Sequence, residues 1–128
     1  MDQPMSYTIR IIEKAVVEIV HVGDFGSDEA RRARDEAAEL MFAEKLNRIL
    51  ADISKAKVRD STLGLFRFNA THYDVLPRNT RIATLLVLDT LDPSLAEFSE
   101  TVALNRGIQL RLFQDRETAL KWLLKRKH

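Results

Sequence analysis

The chain has 128 residues, 45% hydrophobic and 30% charged, the composition of one globular domain with room for a core that needs no cross-links. Lys and Arg number 20 against 19 Asp and Glu, a formal charge of +1, so there is no bulk attraction to nucleic acid or to an anionic membrane. Cysteine is absent, which excludes disulfides, thiolate metal sites and a cysteine nucleophile. The polar opening MDQPMSYTIR has no apolar signal segment, and no apolar stretch is long enough to span a bilayer. A cytoplasmic protein without stable membrane insertion is therefore expected.

Only 4 Gly and 3 Pro are present, and no linker, repeat or low-complexity tract is visible. One domain over 1–128 is expected, with 1–5 and 125–128 frayed. Tyr7 to Ile12 and Ala15 to Val22 are β-branched runs separated by Glu13-Lys14, which predicts a hairpin. Gly23-Asp24-Phe25-Gly26 lacks phosphate-loop spacing and reads as a turn. From Ser27, a potential cap, Ala30, Ala33, Ala37, Leu40 and Met41 recur at helical spacing, predicting a helix that ends near Asn47. Arg48 to Ser54 reads as a short strand. Asp60 or Ser61 can cap a second, less regular helix through Leu63, Leu65, Phe66 and Phe68, with Pro77 at or beyond its end.

Arg81 to Leu88 is the most continuous apolar run, as expected of an interior strand between parallel neighbours. Asp92-Pro93 opens a third helix that Gly107 stops, and Ile108 to Phe113 alternates as a strand. Asp115 caps a last helix whose apolar residues include Trp122, which should be largely buried. The expected order is β-β-α-β-α-β-α-β-α. Such alternation predicts an α/β fold with a mixed, mostly parallel sheet packed by helices.

This order resembles the STAS domain of the bacterial anti-sigma factor antagonists. Asp52-Ile53-Ser54 followed by Asp60-Ser61-Thr62 is similar to the antagonist pattern, in which Asp-Leu-Ser precedes Asp-Ser-Ser or Asp-Ser-Thr at a helix start. The resemblance implies a phospho-acceptor at Ser61. The antagonists continue with Gly-Leu-Gly, where this chain has Leu63-Gly64-Leu65. Phe98 to Ala103, Asn105-Arg106-Gly107, Arg111-Leu112-Phe113 and Ala119 to Leu123 resemble the C-terminal half of bacterial STAS-like proteins, a group also linked with CRAL-TRIO lipid-binding domains.

Each candidate residue also has a plainer role. Ser61 reads first as an N-cap, which needs nothing else, and alternatively as a phospho-acceptor whose dianion a helix start accepts. Arg106 can close a helix end beside Gly107 or hold an anionic group. Leu65, Phe66, Phe68, Tyr73 and Phe98 read first as ordinary core residues and alternatively as the lining of an apolar pocket, and the aromatic, poorly periodic stretch 66–76 is the exception, suited to covering a cavity or presenting an exposed patch. His21, His72 and His128 lack metal-ligand spacing. Ser61, His72 and Asp60 or Asp74 would compose a triad only on paper, since no nucleophile elbow accompanies them. The expectation is a non-enzymatic regulatory or protein-interaction module without metal or cofactor, docking a partner around Asp60, Ser61 and Thr62. The alternative is a CRAL-TRIO-like binder of a small apolar ligand or lipid in a pocket under residues 63–76. Nucleic acid is not expected as a partner, and a homodimer is left open.

Overall fold

The structure, a computed structural model, describes residues 6–25, 27–58, 75–86 and 107–125. Ser6–Ile12 (β1) and Val16–Phe25 (β2) form the expected antiparallel hairpin, with Ile9 opposite Ile19 and Arg10 opposite Glu18. Its turn holds Glu13 and Lys14 in the left-handed region, at φ 51° and 59°. Ser27–Glu44 (α1) follows, then Arg48–Asp52 (β3), Ala56–Val58 (β4), Arg81–Leu85 (β5), Gln109–Phe113 (β6) and Arg116–Leu124 (α2). The sheet order is β1-β2-β3-β5-β6, with β4 attached to the far end of β2, and every pairing except β1–β2 is parallel. The predicted interior strand is interior: β5 lies between β3 and β6.

Alternation along the strands divides the core in two. Val17, Ile19, Ile49, Ile82 and Leu110 face α1 and pack on Ala33, Ala37 and Met41. Val16, Leu50, Ala83 and Leu85 face α2 and pack on Ala119 and Leu123. Alanine on the inner side of α1 lets that helix lie close to the sheet, as its spacing predicted. Asp115 caps α2 as expected, accepting from the Thr118 amide at 2.9 Å and from its hydroxyl at 2.8 Å. At the other end Arg81 donates to the carbonyls of Trp122, at 3.2 Å, and Lys125, at 2.6 Å, satisfying groups that the helix leaves open.

Two expectations are corrected. Gly23-Asp24-Phe25 is not a turn, because the backbone of β2 continues through it to pair with β4, a strand that the sequence pattern did not reveal. The first helix ends at Glu44 rather than near Asn47. Lys45 takes φ 57° and the Leu46 amide donates to the Met41 carbonyl at 2.8 Å, a Schellman closure made without glycine. Trp122 is partly buried, packed on Phe113 of the edge strand β6 with ring centroids 5.6 Å apart. The predicted helices at Asp60–Ser61 and at 92–106 lie outside the described residues, as do 1–5 and 126–128.

The strained closure of α1 makes a prediction. Lys45→Gly should raise stability by about 0.5–1 kcal/mol, because relief of left-handed strain exceeds the added freedom of the unfolded chain. A thermal midpoint at or below that of the wild type would refute it.

Candidate functional site

In parallel sheets, chemistry-bearing groups gather where strands end and the chain leaves for its connections. Here β3 ends at Asp52, and its carboxylate is what stops it. Oδ1 of Asp52 accepts from the Ser54 amide at 2.9 Å and from the Ser54 hydroxyl at 2.6 Å, folding the chain into a side-chain-closed turn. Asp52-Ile53-Ser54 is therefore a strand end followed by a turn, and the strand stops two residues before the expected Ser54.

The same region holds a charge that alternation would forbid. Glu18 lies within β2 on the face covered by α2, paired in register with Leu50 of β3, and is 1% exposed. Two arginines make this position tenable. Arg10, directly opposite on β1, donates through Nε to Oε1 at 2.5 Å. Arg116, the first residue of α2, donates through Nη2 to Oε2. The other arm of Arg116 stands 3.9 Å from Oδ2 of Asp52, which is itself buried. Two carboxylates and two guanidiniums thus tie β1, β2, β3 and the start of α2 together.

The electrostatics follow from this geometry. Burial alone would raise the Glu18 carboxyl, but the hydrogen bonds from Arg10 and Arg116 outweigh it and hold the group below its ordinary value. A carboxylate so held is ionised and fully engaged at neutral pH. It is suited to holding structure rather than to exchanging protons with a substrate.

On the opposite face, His21 is buried beside Tyr7, with ring centroids 6.0 Å apart. Burial lowers its pKa to about 4, against Asp52, which favours the charged form, and together with Arg34, which disfavours it. Tyr7 extends outward and donates its hydroxyl to Oε1 of Glu36 on α1 at 2.8 Å. That bond, with some burial, raises the Tyr7 pKa.

Asp60, Ser61 and Thr62 lie outside the described residues. So do Leu65, Phe66, Phe68, Tyr73 and Phe98, as well as Arg106, His72, Asp74 and His128. The cluster around Glu18 was not among the sequence candidates. Its signal was present as a single acid within the apolar run VVEIV, but its partners are 8 and 98 residues away. Among the described residues no group of His, Cys, Asp or Glu is placed to hold a metal ion, and no helix is long and apolar enough to cross a membrane.

No family model matches the chain, and no curated protein does. Solved structures do. An anti-sigma factor antagonist from Mycobacterium paratuberculosis is similar over 98% of this chain and 100% of its own, with a TM-score of 0.63 at 17% identity. The anti-sigma factor antagonist SpoIIAA in its unphosphorylated form is similar over 96% of this chain and 100% of its own, with a TM-score of 0.58 at 14% identity. These likenesses bear on the fold that the resemblance implied and add nothing to the CRAL-TRIO side. With the sheet order, the register and the flanking helices in hand, the chain has the STAS-like fold of the anti-sigma factor antagonists.

Proposed function

We propose that this chain is a non-enzymatic regulatory module of bacterial type that acts in the cytoplasm by binding a partner protein around Asp60, Ser61 and Thr62. The observation that carries the reading is the near-complete overlap with two anti-sigma factor antagonists, with Asp52-Ile53-Ser54 at the end of β3. Asp60 lies two positions after Val58, the last residue of β4, in the sequence. The absence of cysteine supports a role that depends on surface rather than thiol chemistry, and the charge of +1 favours a protein partner over nucleic acid. A phosphate on Ser61 would add negative charge to this segment and change what it docks.

Co-purification from a bacterial lysate, with wild-type and Ser61→Asp baits, tests the reading. Asp caps a helix as well as Ser does, so the variant should keep its thermal midpoint while recovering at least about tenfold less of the partner. Ser61→Ala should lose about 1 kcal/mol of stability with the cap and still recover the partner. Identical partner lists and yields for wild type and Ser61→Asp would end the proposal.

A further inference from the structure

Three arginines share the α2 face of the sheet. Alternation puts Arg48 with Leu50, Arg81 with Ala83 and Arg111 with Phe113, on the side where those apolar residues pack against α2. Arg48 and Arg81 are paired in register on β3 and β5, and Arg111 stands on β6 opposite Ala83. The guanidinium carbons of Arg81 and Arg111 lie 5.9 Å and 5.8 Å from the centre of the Trp122 ring. Arg81 directs Nη1 at the carbonyls that end α2, whereas neither Arg48 nor Arg111 has an acid within ion-pair distance among the described residues. Strands β5 and β6 contain no acid. Asp52 of β3 is at the far end of its strand with Ser54 and Arg116. Glu117 lies with Glu13 on the Leu120–Leu124 side of α2, which helical geometry sets opposite to Trp122. Like charges on adjacent strands repel, so the arginine row carries an electrostatic cost that no described acid offsets.

We propose that the arginine face around Trp122 is a contact surface for an acidic, carboxylate-bearing peptide segment of a partner protein. Arg48 and Arg111 each present a fork of donors that matches a carboxylate. The formal charge of +1 is an average over the chain and conceals this concentration of one sign. The cations are spread over three strands, each about 4.8 Å from the next. That spread suits an extended peptide, whose alternate side chains lie about 7 Å apart, better than one small anion. The Trp122 ring adds apolar area among the charges, the mixture typical of a protein interface. The surface does not include Asp60, Ser61 or Thr62, so this proposal and the docking reading above stand or fall separately.

Trp122 is the only tryptophan in the chain, so its emission reports on this surface directly. A blocked hexaglutamate peptide, titrated into the purified full chain at low salt, should change that emission saturably, and a blocked hexalysine peptide should not. Raising the salt to about 1 M, where charges are screened beyond about 3 Å, should abolish the binding. Arg48→Gln should weaken it about threefold, and Arg48→Gln with Arg111→Gln about tenfold, both read by calorimetry because loss of Arg111 itself alters the emission. Arg32→Gln, at an exposed position of α1 on the other face of the sheet, should leave it unchanged. All variants should keep the wild-type circular dichroism. The absence of a saturable change would overturn the proposal, as would binding that Arg32→Gln weakens as much as the double variant does. So would inorganic phosphate binding as tightly as the peptide, which would make this a small-anion site.

Discussion

Between pH 6.5 and about 4, the protein is expected to lose about 3 kcal/mol of stability through His21 alone. The unfolded histidine takes up a proton near 6.5, whereas the folded one, buried between the sheet and α1, resists until about 4. Throughout that window the unfolded state binds more protons, so stability falls as pH falls, by about 1.4 kcal/mol for each pH unit. Above 6.5 both states are neutral and this contribution is complete. Urea denaturation at a series of pH values reads the effect, and His21→Leu should remove most of the slope across the window. A variant with the same slope as the wild type would assign the acid sensitivity elsewhere.

Glu18→Gln is expected to destabilise the fold by about 2–3 kcal/mol at neutral pH, less than for a fully enclosed ion pair because both arginines reach solvent. The amide keeps the shape of the side chain but removes the charge that Arg10 and Arg116 share. The sign with pH is set by the lowered carboxyl. The wild-type advantage is complete above the ordinary value of 4.5 and disappears as pH falls through the lower folded value. Wild type and variant should therefore converge at strongly acidic pH, below the His21 window. Replacement by Leu together with Arg116→Met separates the roles of charge and packing. If that double variant is as stable as the wild type, the cluster confers specificity of arrangement rather than net stability. Glu18→Gln at wild-type stability near pH 7 would show that the arginines contribute nothing through this carboxylate.

Much of the frame was legible because it rests on local pattern. Alternating β-branched residues in 7–12 and 16–22, alanine at helical spacing in α1, and Asp115 before α2 each carry their structure within a few residues of chain. The interior position of β5 was legible too, because a strand covered by helices on both faces needs apolar residues in succession. Boundaries were less secure. The helix was expected to end near Asn47, yet no glycine is needed to stop it earlier, because Lys45 adopts the left-handed conformation that glycine would usually supply. The sealing of Leu46 and Met41 into the core supports that geometry.

The remaining features depend on partners distant in sequence. Gly23-Asp24-Phe25 has the composition of a turn, but β4 offers its backbone an unused row of hydrogen-bonding groups, and ladder formation prevails over local preference. The sequence by itself determined the α/β class, the hairpin, the helical stripes and the central strand, because these follow from propensity and the period of burial. Only the tertiary structure decided that Glu18 is a buried ion-pair hub and His21 a buried neutral base. Ionisation depends on which groups surround a side chain, and here Arg116 and Arg34 reach Glu18 and His21 only after the helices have packed on opposite faces of the sheet.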